Sequence, residues 1–431
     1  MTDEPPRALA PANENAWYLM ATLYGEQRGS GDAEIFDREL ARRNRCAWNR
    51  WCATFLSRER QESLRDAIAR YAKNLEFDES ELIPYDEEEL RAFIAAFERR
   101  AGDRKVLPPN RDHTIYSVHL DDVQFERHVR FDGFLFPSLL SFANSSFSAV
   151  ASFQRAIFLD YANFSAAAFS GASFNAAVFL DDANFAKTRF SAEAKFFDSV
   201  FRRAADFKAA KLMAHADFSF ATFETRVPDF RDASLPEEAR WRRIGWPEPP
   251  ADSNAAIEQI DAYARLKAEM ERLKKHEEEQ ALFSKELRAR RELRKRPIGE
   301  IARRLGAHRA VVALNWIFNG AIDWFANWAY EFFSGYGLSI GRPLASLGVL
   351  LLAGTLVFAT TDSLDDGPMD PLDALELSAT NLISFLPYKP DGVVSAHLST
   401  SAKWLGNAQA LLGLVLLFLL GLALRNRFRM K

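Results

Sequence analysis

Between residues 131 and 223 a large apolar side chain returns every five or six positions: Phe131, Phe136, Phe142, Phe147, Phe153, Phe158 and onward through Phe207, Leu212, Phe218 and Phe223. A small residue stands two places ahead of nearly every one, as at Ala151, Ala156, Ala162, Ala167, Ala172, Ala177, Thr188 and Ser199. A helix of period 3.6 cannot hold such a pair on one face, and a strand of period 2 would not change phase so regularly. The pattern predicts a solenoid in which each unit makes one side of a coil. The large residue fills the interior, and the small one sits where the wall is tight.

Elsewhere the pattern is helical. Residues 13–105 read as helices, with Leu40, Asn44, Trp48, Trp51 and Phe55 at helical spacing among Arg42, Arg43, Arg45 and Arg50. A packed helix accounts for them; a ligand site built from Trp and Arg is the sharper alternative. After the repeat, Trp246-Pro247-Glu248-Pro249-Pro250 breaks the chain, and Asp252 or Ser253 is suited to cap a helix. Ile257, Ile260, Ala264, Leu266, Met270 and Leu273 keep helical spacing, which lapses at Lys274–Gln280 and resumes at Leu282. Residues 252–296 thus predict either a helical hairpin or one long helix with a polar waist, open to partner-helix binding or oligomerisation, or else a solvated, self-packed face.

Two runs carry no charge: Pro343–Thr361, 19 residues, and Trp404–Leu424, 21 residues. A bilayer crossing takes roughly 20 residues at 1.5 Å each, so residues 342–431 predict two transmembrane helices. Just ahead, Val311–Phe333 is rich in aromatic residues but contains Asp323 and Glu331. Because Trp and Tyr favour the headgroup level, residues 300–341 are read as a helix lying in the cytoplasmic interface, with a third pass as the alternative.

The flanks predict orientation. Lys285–Arg309 holds ten Lys or Arg and three Glu, and the chain ends in Arg425, Arg427, Arg429 and Lys431. The intervening loop holds Asp362, Asp365, Asp366, Asp370, Asp373, Glu376 and Asp391 against Lys389. By the positive-inside rule both termini are cytoplasmic, in an inner-membrane protein that passes the bilayer twice. The start, Met1-Thr2-Asp3-Glu4-Pro5-Pro6, lacks the basic and apolar regions of a secretory signal.

Within that loop, residues 371–386 open with Pro371, are closed by Pro387 and predict an amphipathic helix too short to span. Ser378, Asn381 and Ser384 share a stripe, with Thr380 close by. Gly406, Ala410 and Gly413 lie on one face of the second span and allow close helix approach; a gating hinge is the alternative.

Composition then narrows the chemistry. At 431 residues the chain calls for several domains, and its 55 basic and 59 acidic residues leave no excess suited to nucleic acid. Cys46 and Cys52 form no disulfide framework and no zinc pattern. No phosphate-binding glycine loop, His-Glu-x-x-His or nucleophile elbow occurs, and the seven histidines are scattered. Neither an enzyme nor a cofactor or metal is expected.

The units Ala162-Asn163-Phe164, Ala183-Asn184-Phe185, Ala205-Asp206-Phe207 and Ala216-Asp217-Phe218 resemble the bacterial pentapeptide-repeat family. That resemblance implies a right-handed, quadrilateral β-helix over 123–235, here of four to five coils with residues 110–130 and 224–246 as caps. Mostly alternating gaps of five and six residues imply bulges where the chain turns. Some members mimic DNA, but Val123–Leu235 holds 12 acidic and 12 basic residues, so a structural or interaction module is expected. The leader Asn13-Glu14-Asn15-Ala16-Trp17-Tyr18 is similar to that of membrane-bound bacterial pentapeptide-repeat proteins. Residues 371–386 resemble the pore helix of potassium-channel modules, yet Ile383-Ser384-Phe385-Leu386-Pro387-Tyr388 stands where those carry Thr-Val-Gly-Tyr-Gly, so potassium selectivity does not carry over.

Two functions follow. In the first, several copies, a tetramer if pore-forming, bring their re-entrant helices around an axis; Ser378, Thr380, Asn381 and Ser384 line a constriction, and Asp362, Asp365, Asp366, Asp370 and Asp373 attract cations. In the second, the spans only anchor a β-helix that binds a protein partner. The re-entrant helix favours the channel, since an anchor needs no such segment.

Overall fold

The computed structural model describes residues 9–27, 37–71, 79–104, 106, 117–250, 252–294, 325–361, 363, 367, 369–383 and 398–429. The chain forms two compact units, Met1–Lys274 and Lys275–Lys431.

In the first unit the apolar repeat winds into a β-solenoid of about five turns. Parallel register partners follow the large residues: Phe125, Phe147, Phe169, Phe190 and Leu212 on one side, Phe136, Phe158, Phe179, Phe201 and Phe223 on another. Partners lie 22 residues apart, or 21 at a register shift beside Gly171. The rings stack as the strands do: Phe153, Phe174, Phe196 and Phe218 follow one another at 4.9, 5.1 and 4.9 Å, within 3° of parallel. That distance is about the 4.8 Å between neighbouring strands. Adjacent stacks meet edge-on, as Phe164 does Phe174 at 5.3 Å and 80°, the geometry that suits the ring quadrupole.

The gaps of five and six now have a cause. Two residues after every second large residue the backbone takes a positive φ, at Asn144, Arg155, Ala166, Ala176, Lys187, Asp198, Ala209 and Phe220. The next N–H closes the turn, as Ala156 donates to the Phe153 carbonyl at 3.1 Å. These tight turns take the gaps of five, and most of the alternate bends hold a sixth residue. The recurring Asn or Asp is explained as well: Asn163, Asn184, Asp206 and Asp217 each accept from the N–H two residues on, which ties down the bend.

The solenoid extends past 123–235. Ser117 pairs with Leu139, and residues 224–246, expected to be a cap, form another coil bridged to the last through Asp229, Ser234, Arg240 and Gly245. Trp241 stacks on Phe218 at 4.5 Å and Trp246 on Phe223 at 5.8 Å. Beyond them α5 (Ser253–Arg272), capped by Asp252, sets Tyr263 edge-on to Trp246.

At the other end Ala10–Pro11 pairs with Val123–Gln124, covering an open strand edge. Helices α1 (Ala16–Ala21), α2 (Arg38–Phe55), α3 (Arg58–Tyr71) and α4 (Glu87–Ala101) follow. The Trp–Arg segment is the packed helix α2. Its Trp48 donates to the Leu135 carbonyl at 2.7 Å, while Asn49 accepts from Leu135 N–H and donates to the Gly133 carbonyl. The amide therefore satisfies backbone groups of an early coil. Helix α3 follows the solenoid lengthwise, from Arg60 on the Pro137 carbonyl and Asp160 to Tyr71 on Glu224.

Glu81 is 1% exposed and accepts from Arg45 Nε and Nη2 as well as from Asn49. Glu81→Gln keeps the shape but removes the charge, and is expected to cost about 2 kcal/mol. Urea unfolding of the full chain checks it; an unchanged midpoint would mean the pair contributes nothing.

In the second unit the described helices are α6 (His276–Arg294), residues 325–334, α7 (Gly341–Thr360), α8 (Pro371–Leu382) and α9 (Thr400–Arg429). The expected long helix or hairpin over 252–296 is two helices, α5 and α6, interrupted where Lys274 takes φ 57°. Most of the aromatic segment expected over 300–341, up to residue 324, lies outside the described residues. Helices α7 and α9 are long and apolar enough to cross a membrane.

Candidate functional site

Helix α8 packs against both α7 and α9. Asp370 caps it by accepting from Leu372 N–H, and Pro371 begins it. Ala374 and Leu377 then meet Phe358, Met369 and Ala402 in an apolar cluster. One turn further the contact becomes polar. Ser378, fully buried, donates to the Leu351 carbonyl at 2.9 Å and accepts from Gln409 Nε2 at 2.5 Å. Gln409 also donates to the Leu350 carbonyl at 3.2 Å and accepts from Asn381 at 3.3 Å. These bonds join all three helices.

Glycines make room for them. A Cβ on Gly354 would overlap Gln409 Nε2 and Ser378 Oγ, one on Gly406 would stand 3.0 Å from Asn381 Nδ2, and one on Gly413 would stand 3.0 Å from the Leu382 carbonyl oxygen. Ala410 is half-buried on the same helix. At Gly406 and Gly413 the backbone of α9 thus lies close against α8.

The polar stripe of the sequence reading is divided. The Ser378 hydroxyl is buried and taken up within the three-helix contact, and Asn381 is bonded to Gln409. Thr380 donates to carbonyls of its own helix, Glu376 and Leu377. Asp370 is a helix cap and Asp373 lies in the first turn of α8. Ser384, Asp362, Asp365 and Asp366 lie outside the described residues, as does the end of the 371–386 segment. Gln409 and Gly354 were missed; the signal for Gln409 was an amide that stands, with Asn407, in an otherwise apolar run.

On the solenoid the outward surface is mostly polar and balanced, with pairs such as Arg203–Asp181 and Arg231–Asp229. Its exposed large apolar side chains are Val150, Met213 and an aromatic pair: Phe197 and Phe220 are both about 40% exposed with ring centroids 5.3 Å apart. The Arg243 guanidinium lies 5.7 Å from the Phe220 ring. Phe220 holds φ 62°, which is strained for a bulky residue.

Among the described residues no group of three His, Cys, Asp or Glu could hold a metal. Burial pushes the Cys46 thiol up to about 11 and the Cys52 thiol well above its ordinary value, so neither supplies a ready thiolate.

No curated protein and no solved structure matches the chain. Residues 153–200 match pentapeptide repeats, as nine copies. This part of the chain is a pentapeptide-repeat β-solenoid.

Proposed function

We propose that the chain is a membrane-anchored scaffold: α7 and α9 cross the inner membrane with both chain ends in the cytoplasm, and the solenoid presents the Phe197–Phe220 pair to a protein partner. The observation that carries this reading is that pair. An aromatic side chain is retained in a left-handed turn where the equivalent turns hold Asn144, Arg155, Ala166, Ala176, Lys187, Asp198 and Ala209, and its ring lies exposed instead of filling the core. Strain kept at a surface site points to use of that surface. The channel reading has less support, because Ser378 and Asn381 are engaged within one protomer.

Phe220→Asn is expected to stabilise the solenoid by about 0.5–1 kcal/mol, since Asn tolerates a left-handed turn and the strain disappears. The same substitution should abolish partner binding. A photo-crosslinking side chain at position 220 in native membranes should give one discrete protein adduct, and at position 166 none. Equal labelling at both positions, or none at 220, would overturn the assignment.

A further inference from the structure

We propose that one end of the second unit, made by residues 325–342 and the last turns of α9, binds anionic phospholipid headgroups; the inference rests on the reading of α7 and α9 as membrane spans. Helical residues 325–334 carry Phe325, Trp328 and Phe332 at helical spacing, with successive ring centroids 5.7 and 5.3 Å apart and all three exposed. The helix has one carboxylate, Glu331, and it is engaged: Arg288 meets it at 2.8 Å, Arg291 also pairs with it, and Tyr336 donates to it at 3.3 Å.

The helix is tied to the ends of both long helices. Arg342, in the first turn of α7, donates to the Glu331 carbonyl at 2.9 Å. Asn426, in the last turn of α9, donates to the Gly337 carbonyl at 3.3 Å. Gly337, at φ 79°, permits this approach, since a Cβ there would stand 2.8 Å from Asn426 Nδ2 and 3.0 Å from the Tyr330 hydroxyl. The exposed guanidinium groups of Arg342, Arg425 and Arg427 and the exposed Phe428 ring therefore share one end of the unit with the aromatic run.

An aromatic stripe suits the headgroup level, where the ring is half in hydrocarbon and half in water. Exposed guanidinium groups at that depth suit phosphate, which they meet with paired N–H donors. The complementary occupant is an anionic lipid surface, and its engagement would hold the 325–334 helix in the plane of the membrane.

The test uses the full chain in phosphatidylcholine vesicles doped with spin-labelled phosphatidylglycerol or spin-labelled phosphatidylcholine. The spectrum yields two quantities: the fraction of motionally restricted lipid, and the ratio of that fraction for the two labels. Wild type is expected to prefer phosphatidylglycerol by about threefold or more, falling towards parity in Arg425→Gln/Arg427→Gln and retained in Arg425→Lys/Arg427→Lys. A wild-type ratio of one, or a ratio that the glutamine variant leaves unchanged, would overturn the proposal while leaving the spans intact. Absence of any restricted lipid would instead overturn the membrane-spanning reading.

Discussion

Phe174→Ala is expected to destabilise the solenoid by about 3–5 kcal/mol, the range for deleting a fully buried ring. Phe174 is 0% exposed and stacks between Phe153 and Phe196 at 4.9 and 5.1 Å, with Phe164 and Phe185 edge-on at 5.3 and 5.2 Å. Neighbouring rungs are held by parallel hydrogen bonds, so the backbone cannot collapse freely into the gap, and most of the cavity term should remain. Because a solenoid is coupled coil to coil, loss in the middle should also weaken the link between the two halves. Amide exchange in urea, followed at Phe153, Phe164, Phe196 and Phe207, would report it as earlier opening on both sides of the change. Phe197→Ala removes the same atoms from an exposed site and should cost under about 1 kcal/mol. A loss below about 1.5 kcal/mol for Phe174→Ala would refute the stacked-core account.

Gly354→Leu should unseat α8 at a cost of about 3 kcal/mol, combining overpacking with the loss of interhelical hydrogen bonds. Even a methyl group at Gly354 would occupy the place of Gln409 Nε2 and Ser378 Oγ. With those groups displaced, the Leu350 and Leu351 carbonyls lose their extra donors and Asn381 loses its acceptor. Gly348 provides the control, for it lies in the same helix with nothing within 4 Å of its would-be Cβ. Denaturation of the detergent-solubilised chain by increasing dodecyl sulfate, with amide exchange read on α8, should separate the two variants. Equal midpoints for Gly354→Leu and Gly348→Leu would show that the three-helix seat contributes no stability.

The glycine and the glutamine explain why the hairpin was only partly readable. Length and lack of charge identified both long helices, because the bilayer criterion depends on composition alone. Pro371 and the Asp370 cap likewise marked the start of α8. The direction taken by its polar side chains was not legible: a stripe of Ser378, Asn381 and Ser384 suits a water-lined path and a buried helix contact equally well. Gln409 decided for Ser378 and Asn381, and it lies 28 residues from Asn381 in sequence.

The solenoid shows the other extreme. Phe spacing, the small residue before each Phe and the Asn or Asp between them are local features repeated many times, so the sequence alone determined the coil, its interior and its approximate extent. Each unit needs only its neighbours, and the same short-range rule is repeated along the chain. What tertiary structure alone decided were the ends and the exceptions. Residues 224–246 form a coil because Trp241 and Trp246 fit the stacks of Phe218 and Phe223. The amide of Asn49 meets backbone groups of an early coil more than 80 residues away. Phe220 lies outside because its turn, set by the coil, carries the side chain away from the core. Periodicity reports what recurs, whereas caps, seats and exposed rings depend on single contacts between distant residues.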